Sequence, residues 1–560
     1  MSARARSVAG ALALACLAAA GCTPVPPGDE PRPEGGRPGP GGGLFEENAV
    51  LVTRFTDVAG VAASRRYVFA VGTAGLAIYD AQFNRWLPPL LTHGGVAWRP
   101  TALAADPVSD AVWLGGIGEV VYHQPATHFT TRVVVPGIVD EIFFDAQDPG
   151  IGAYVRAGGG WMQVSTVGTA SPARELPPAS RRVTSATLQD VVARWPAIRD
   201  LGATVTQDEQ QRSWPISSGT IMPGRSEVFL GTIGNGLYRV DPDFMRGTQL
   251  PFGLLADGAG ALALATDGVW VAPTGLGSMT RPRGGLTFVR DDLQEWRWVE
   301  DDWNGSLAGA RAFDLALRGG IAWIATDRGL ARLDTRTRAL SVPVWTLLSG
   351  LPADVVFSVV AREGGAWAGT ERGLVWVSDT GRRVQATAPR VSETIAAGVP
   401  VRALLAAGDT LWMGTEAGLL LLPPGGAREP VRSTLQREDA RLGGPVRAIA
   451  ASDSIVVVGL ERDVARVNLR TGHLLPRLTG ADVGVVGRVT SLAIDARTLW
   501  VGGPGGVVAM DRASGVSRFL PVGGDLATEP YDIVLQRDWA WIGTRGGVLR
   551  LARRRDGLPR

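Results

Sequence analysis

One pattern of hydrophobic and polar positions recurs along the chain from about residue 45 to the end. A short apolar run, often containing Trp, is followed by Gly or Ala, by Thr or another small residue, and by a Gly-containing turn. Clear copies are LWMGTEAG at 411–418 and AWIGTRGG at 540–547. The copies share anchor positions that are mostly 41 to 45 residues apart, at 72, 115, 156, 231, 272, 325, 369, 414, 459, 502 and 543.

Each copy predicts a unit of four short strands. In one copy the strands are expected at 401–406, 410–413, 419–422 and near 429–433, with Trp412 packed between neighbouring units. Strands this apolar need cover on both faces, and stacking four-stranded units around an axis provides it. The period is typical of β-propeller blades. We therefore predict an all-β protein, a β-propeller of about 11–12 blades in two rings of five to seven; one large ring is the alternative.

Three departures from the repeat carry further predictions. Residues 185–201 have apolar side chains at helical spacing, which predicts a helical insertion packed on a propeller face. The modestly long gap between anchors 272 and 325 is interpreted as the passage between two rings. The last copy ends after its third strand at 547–552, and the extended residues 49–55 are expected to supply the fourth, so that the two ends of the folded body meet.

The N-terminus resembles a bacterial lipoprotein signal. Arg4 and Arg6 precede a short apolar stretch that ends in Ala-Ala-Gly-Cys22, and a Pro- and Gly-rich tether follows. The resemblance implies lipidation of Cys22, and Thr23 implies sorting to the outer membrane, on its periplasmic or surface-facing side. An ordinary secretory peptide is the alternative. The predicted organisation is a signal peptide at 1–21, a lipidated tether at 22–44, N-terminal blades at 45–300 with an insertion at 171–225, and C-terminal blades at 301–560.

Composition excludes several kinds of chemistry. The chain has no Lys, so Schiff-base catalysis and a phosphate-loop lysine are excluded, and its only cysteine besides Cys22 lies in the signal. The four His include one close pair, His123 and His128, for which a solvated loop is predicted rather than a metal site. Basic residues are scattered, and Arg553-Arg554-Arg555 is predicted to be a solvated tail. No catalytic residue, cofactor, metal or nucleic-acid partner is predicted.

The segment Asp291 to Trp303 is the one dense acidic and aromatic patch. Trp296 and Trp298 alternate as the residues of an outer strand do, which favours packing within a blade. The end of the segment supplies the candidate binding residues Asp301, Asp302 and Trp303, because ring faces stack on sugars and carboxylates accept hydroxyl protons.

Residues Thr346-Leu347-Leu348-Ser349-Gly350-Leu351-Pro352, followed by a strand and AWAGTERGLVWV, resemble the two-component-regulator propeller repeat. This resemblance implies an extracytoplasmic recognition role, and neither a transmembrane helix nor a kinase follows the repeats in the sequence. The turns at 468–472 and 511–515 resemble those of quinoprotein-like propellers more weakly, and side-chain bonding within a hairpin turn is the favoured explanation.

These observations favour a non-enzymatic lipoprotein that acts as a recognition or scaffold module. Its expected partners are the membrane, through the N-terminal lipid, and an envelope protein or polysaccharide. The alternative is an extracytoplasmic propeller enzyme of the quinone-dependent oxidoreductase or polysaccharide lyase type. The oligomeric state is left open.

Overall fold

The computed structural model describes residues 48–560 except 73–74, 91–99, 149–151, 209–210, 276–284, 301–309, 337–338, 341–343, 379–390, 396, 424–430, 433, 525 and 527. Cys22 and the candidate binding residues Asp301, Asp302 and Trp303 lie outside the described residues. Within the described part of the chain, no helix is long and apolar enough to cross a membrane.

The predicted β-propeller architecture is confirmed: eleven antiparallel four-stranded blades follow one another along the chain. Blades 2 and 3 share one long strand, Phe129–Asp145, and so form a continuous sheet. Blade 1 consists of Val58–Ala63, Tyr67–Gly72, Gly75–Asp80 and Arg85–Leu90, and blade 2 of Ala102–Ala105, Val112–Gly115, Ile117–Gln124 and the start of Phe129–Asp145. Blade 3 consists of the end of Phe129–Asp145, followed by Ala153–Ala157, Gly160–Val164 and Ala170–Pro172. Blade 4 consists of Ile216–Ile221, Val228–Thr232, Leu237–Asp241 and Arg246–Leu250.

Blades 5 to 11 complete the series. Blade 5 consists of Ala261–Leu264, Gly268–Ala272, Gly285–Arg290 and Trp296–Glu300; blade 6 of Ala312–Arg318, Ile321–Thr326, Gly329–Asp334 and Ala339–Leu340; and blade 7 of Val356–Arg362, Gly365–Thr370, Gly373–Ser378 and Val391–Ile395. Blade 8 consists of Val401–Ala407, Thr410–Thr415, Gly418–Leu422 and Val431–Arg432, and blade 9 of Ala448–Ala451, Ile455–Gly459, Val464–Asn468 and Leu474–Leu478. Blade 10 consists of Ser491–Ile494, Thr498–Gly503, Gly506–Asp511 and Ser517–Pro521, and blade 11 of Pro530–Leu535, Trp539–Thr544, Gly547–Ala552 and the N-terminal Ala49–Val52.

The repeated Thr and Gly of the sequence motif build the turn between the second and third strands. In blade 8 the buried Thr415 donates its Oγ1–H to the carbonyl of Gly418 at 2.7 Å, and the equivalent Thr of blades 6, 7 and 11 makes the same bond. The Gly after the turn has a positive φ, 145° at Gly547. A Cβ there would lie 2.1 Å from the carbonyl oxygen of Val52 on the neighbouring strand, so only Gly fits.

Blades 5 to 11 form a closed ring of seven. The first strand of each blade, its inner strand, contacts the inner strand of the next, and the inner strand of blade 11 contacts that of blade 5. Asp532 of blade 11 accepts the backbone N–H of Leu262 of blade 5 at 2.7 Å. Apolar clusters fill the spaces between blades, and Trp412 lies in the cluster between blades 8 and 9 as predicted.

The N-terminal strand closes this ring. Ala49–Val52 pairs antiparallel with Gly547–Ala552 and becomes the outer strand of blade 11, as the sequence predicts. Val52 is fully buried in the shared core. The first strand of the described chain therefore joins the seven-bladed ring, although the next four blades do not.

Blades 1 to 4 form a smaller group inserted between that strand and blade 5. Blade 1 contacts both blade 2 and blade 4, and blade 2 contacts blade 3. The group has one blade fewer than the five that the sequence predicts for the smaller ring. Blade 5 contacts blades 6 and 11, so residues 261–300 lie in the seven-bladed ring although the sequence grouped them with the N-terminal blades. The long gap before anchor 325 comes from the long connections within and after blade 5.

The predicted helical insertion lies between blades 3 and 4. It consists of two helices, Leu188–Arg194 and Ala197–Val205, separated by Pro196, which cannot continue the first helix. Val191, Ile198 and Val205 are buried against blade 4. A short strand before the helices, Arg182–Val183, pairs with blade 3. The insertion thus covers the face of blade 4 that no further blade covers. Short helical segments at Ala179–Arg181, Leu347–Ser349, Leu435–Glu438, Ala440–Gly443, Gly480–Val483 and Gly484–Val486 lie in other connections.

Two chain segments cross between the small group and the ring, and they run side by side. The backbone N–H of Leu254 donates to the carbonyl of Thr53 at 2.9 Å. Phe252 on the second crossing packs among aromatic rings of the first crossing, of blade 1 and of blade 5, with centroid distances of 5.1 Å to Phe55, 4.4 Å to Trp86 and 5.1 Å to Trp296. These four residues, the aromatic junction, fasten the two parts together.

The basic cluster near the C-terminus is not the solvated tail that the sequence predicted. Arg553 is buried, and its guanidinium donates to Asp495 Oδ2 at 2.5 Å and to Thr498 Oγ1 at 2.8 Å. It therefore ties the end of the chain to blade 10. Arg554 and Arg555 are exposed. The sequence does not distinguish Arg553 from Arg554 and Arg555, because the buried partner of Arg553 comes from strands that are distant along the chain.

Candidate functional site

In four of the seven blades of the ring, a β-bulge aims one residue of the inner strand at the axis. In blade 6 the pairing register shifts between Ala312 and Asp314, which leaves Phe313 unpaired. The same shift leaves Phe357, Arg402 and Tyr531 as the extra residues of blades 7, 8 and 11. A bulge re-aims a side chain out of the regular alternation of a strand.

All four bulged residues line one cavity at the mouth of the ring, and every blade contributes to it. The cavity has a volume of about 280 Å³. In the other three blades the equivalent residues lie immediately before the inner strand, and they also line the cavity. The seven equivalent residues, one from each blade, are Gly260, Phe313, Phe357, Arg402, Arg447, Thr490 and Tyr531. We call this cavity the ring mouth; Arg311, Ala312, Arg488, Pro504, Glu529 and Pro530 complete its lining.

The ring mouth is positively charged. Two of its arginines share a single carboxylate: Arg402 Nε and Arg447 Nη1 each lie 3.3 Å from Glu416 Oε1. Arg447 Nε is buried and makes no hydrogen bond. The side chains of Arg311 and Arg488 have no carboxylate partner among the described residues. Among the residues that line the cavity, together with Glu416, four arginines face two glutamates, an excess of two positive charges.

Aromatic rings hold two of these guanidinium groups. The guanidinium carbon of Arg402 lies 3.8 Å from the centroid of the Phe357 ring, and that of Arg311 lies 5.0 Å from Phe313 and 5.3 Å from Tyr531. Phe313 and Phe357 also pack edge to face, with centroids 5.4 Å apart. A stacked guanidinium is attracted to the ring face while its N–H groups stay available at the edge. The stacking therefore orients hydrogen-bond donors without using them.

Tyr531 is a hydrogen-bonding group rather than a base. Burial raises the pKa of its hydroxyl, and the nearby charge of Glu529 and a hydrogen bond to it raise that pKa further. The hydroxyl therefore stays protonated at neutral pH. Together, Tyr531, Glu529 and Thr490 provide hydroxyl and carboxylate groups opposite the arginines.

Two half-buried carboxylates, Asp314 and Asp532, follow the bulged residues Phe313 and Tyr531 along their strands. Asp314 Oδ2 accepts the backbone N–H of Val359 on blade 7 at 2.8 Å, as Asp532 does for Leu262. Burial raises the pKa of Asp314 to about 7, with a further contribution from the charge of Asp532. Burial also raises the pKa of Asp532. These residues bridge neighbouring blades beneath the ring mouth.

The arginines of the ring mouth are far apart along the chain, so no local cluster in the sequence predicts them. A signal was present, since Val-Arg-Ala occurs at the same repeat position in residues 401–403 and 446–448. Comparing side chains at one position of every repeat, rather than local clusters, finds them. The predicted residues Asp301, Asp302 and Trp303 lie outside the described residues.

The remaining sequence candidates have structural roles. His123 lies within the strand Ile117–Gln124 rather than in a solvated loop; its Nδ1 is 2.8 Å from Thr130 Oγ1, and burial lowers its pKa to about 4. No group of three or more potential metal ligands occurs among the residues that the structure describes. The Asn468 and Asp511 side chains accept backbone N–H groups of their own turns, at 2.9 Å from Arg470 and 3.1 Å from Ala513, which confirms hairpin-turn chemistry. Trp296 and Trp298 lie on the outer strand of blade 5, as predicted.

Comparisons with known proteins give matches among solved structures but no family. No family model matches the chain, and no curated protein does. Solved structures do match. The extracellular domain of the putative one-component system BT4673 from B. thetaiotaomicron is similar at 13% identity and a TM-score of 0.45, over 90% of this chain and 76% of that chain. Virginiamycin B lyase from Staphylococcus aureus is similar at 12% identity and a TM-score of 0.41, over 53% of this chain and 95% of that chain. At these values the matches concern the fold and carry no argument about a ligand.

Proposed function

We propose that this protein is an exported recognition module that binds a cell-envelope protein or polymer at the ring mouth. The observation that carries the proposal is the convergence of all seven blades on one cavity with excess positive charge. Arginine, tyrosine and phenylalanine are the residues that concentrate at the centres of binding interfaces. A rigid ring holds them in place before a ligand arrives, which lowers the entropy cost of binding.

The proposal includes anchoring to the outer membrane through a lipid on Cys22. Its support is the sequence, in which Cys22 follows an apolar signal and precedes a Pro- and Gly-rich tether. Mass spectrometry of the protein from native membranes is the direct test. A diacylglyceryl-modified N-terminal Cys22 is expected, together with loss of membrane association in Cys22→Ala. An unmodified chain that begins elsewhere would contradict the anchor while leaving the ring mouth untouched.

The site is tested by crosslinked affinity capture from native membranes. Arg311→Gln combined with Arg488→Gln removes two positive charges whose side chains make no ion pair with any residue that the structure describes, so the fold should be unchanged. Arg318→Gln combined with Arg537→Gln is the matched control, because both residues are exposed at the far ends of the inner strands of blades 6 and 11.

We expect a reproducible protein or glycan partner with the wild type and the control, and at least a tenfold lower yield with the ring-mouth variant. Equal capture by both variants would place the binding surface elsewhere. Recovery of the wild-type protein alone would contradict the recognition role.

An extracytoplasmic enzyme is the second candidate, and the meeting of Tyr531, Glu529 and arginines favours it. A lyase needs a residue that neutralises a carboxylate and a base that removes a proton. The arginines suit the first task, but the raised pKa of Tyr531 opposes the second. Turnover of a uronate polymer that disappears in Tyr531→Phe would establish this candidate instead.

A further inference from the structure

We propose that the partner at the ring mouth is a polypeptide, and that it inserts an acidic side chain flanked by apolar residues. This inference rests on the proposed function and specifies its ligand. Three observations carry it: the free N–H edges of the arginines, the small volume of the cavity, and exposed apolar side chains on the connections around it.

The arginines are arranged to receive a carboxylate. A guanidinium presents paired N–H donors that match the two oxygens of a carboxylate. Stacking on Phe357 fixes the plane of the Arg402 guanidinium, and Glu416 holds Arg402 and Arg447 side by side. Arg447 keeps a buried, unpartnered Nε, a group whose burial without a hydrogen bond costs free energy. A ligand carboxylate does not reach that buried atom, but its negative charge would offset the second positive charge of the Arg402–Arg447 pair.

The volume of the cavity limits what enters it. At about 280 Å³ the ring mouth lies at the lower end of the range for small-molecule sites, roughly 300–1,000 Å³. It admits one or two side chains but not a helix or a folded domain. The rest of the partner must therefore lie across the surface around the mouth.

That surrounding surface carries exposed apolar side chains. Leu347 and Leu348 are 53% and 99% exposed on the connection that leads to the inner strand of blade 7. Val485, 57% exposed, lies on the connection that leads to blade 10, beside Gly505 and the mouth-lining Pro504. These connections lead into the inner strands whose first residues line the mouth, so they lie on the same side of the ring. Apolar side chains on the same side as a charged centre fit a peptide with an acidic residue between apolar ones, and a sugar polymer offers fewer apolar side groups to them.

The test is selection of random twelve-residue peptides, displayed on phage, against the immobilised full chain. We expect enriched sequences to contain Asp or Glu next to Leu, Phe or Trp. Synthetic copies should bind at least tenfold more weakly to Arg402→Gln/Arg447→Gln and to Leu348→Ser, and unchanged to Arg318→Gln/Arg537→Gln. Replacing the acidic residue of the peptide by its amide should cause a similar loss. Unchanged thermal unfolding of each variant shows that the fold is intact.

Other outcomes separate this inference from the proposed function. Enriched peptides without an acidic residue, or binding that ignores the mouth arginines, would overturn the inference. So would binding of oligogalacturonate that needs the mouth arginines while no peptide is enriched, although the ring mouth would then remain the binding site. If no probe binds but capture from membranes still depends on Arg311 and Arg488, the ligand class is wrong and the proposed function stands.

Discussion

The guanidinium of Arg402 stacks on the ring of Phe357, which belongs to the preceding blade, at 3.8 Å. Both residues are the extra residues of β-bulges at the same position of their inner strands. The repeat therefore places two different side chains side by side at the axis without any change in the blade. Variation at this one position gives a seven-fold framework an asymmetric site.

Phe357→Leu should weaken ligand binding without unfolding the ring. Leu keeps apolar volume but offers no ring face, so the Arg402 guanidinium loses its fixed plane. We expect a three- to tenfold weaker binding of the selected peptide, measured by fluorescence anisotropy, and an unchanged melting temperature. The control is Phe519→Leu, on the outer strand of blade 10. An equal loss of binding in both variants would show that stacking is not the cause.

Arg553→Gln should destabilise the protein far more than Arg555→Gln. Removing Arg553 takes an ion-pair partner from the half-buried Asp495 and a hydrogen-bond donor from the buried Thr498, at a cost of about 2 kcal/mol. Arg555 is exposed, so its replacement is expected to change the free energy of unfolding by less than about 0.5 kcal/mol. Urea unfolding followed by circular dichroism compares them. Similar unfolding midpoints for the two variants would indicate that Arg553 is solvated and contributes no stability.

Phe252→Ala should loosen the aromatic junction between the small group of blades and the ring. Truncating a buried Phe costs about 3–5 kcal/mol, and here three aromatic neighbours lose a shared partner. We expect unfolding in two steps and new protease cleavage near residues 250–256. Phe244→Ala is the control, because Phe244 is 77% exposed. A single unfolding step with an unchanged cleavage pattern would mean that other contacts fasten the two parts.

Asp314→Asn should change how stability depends on pH. The native pKa of about 7 lies above the ordinary value of 3.8, so the native state holds a proton that the unfolded chain releases. Wild-type stability should therefore fall as pH rises from about 4 to 7, and stay constant above. Asn carries no charge, so the part of this fall that Asp314 causes should disappear, while Asp532, whose pKa is also raised, still contributes a part. Unfolding free energies between pH 4 and 8 test this, with the exposed Asp453→Asn as control. A fall of unchanged size in Asp314→Asn would assign it to other groups.

Much of the fold could be predicted because each blade is locally encoded. The run that ends in Gly414-Thr415 specifies a strand and its turn through neighbouring residues, and the helical spacing at 185–201 specifies the insertion in the same way. The division into rings was harder, because it depends on which inner strands meet. Pairing of Leu262 with Asp532 joins residues 270 positions apart, and no local pattern encodes it.

The sequence by itself determined the blade, its number of copies, the helical insertion and the closing strand. It did so because strand alternation, tight turns and helical periodicity are local properties of the chain. The tertiary structure alone decided that seven blades close into one ring, that Arg553 is buried, and that Arg311, Arg402, Arg447 and Arg488 share one cavity. The physical reason is that charge and burial at a point depend on every strand that reaches it, and ring closure brings together residues that are far apart along the chain.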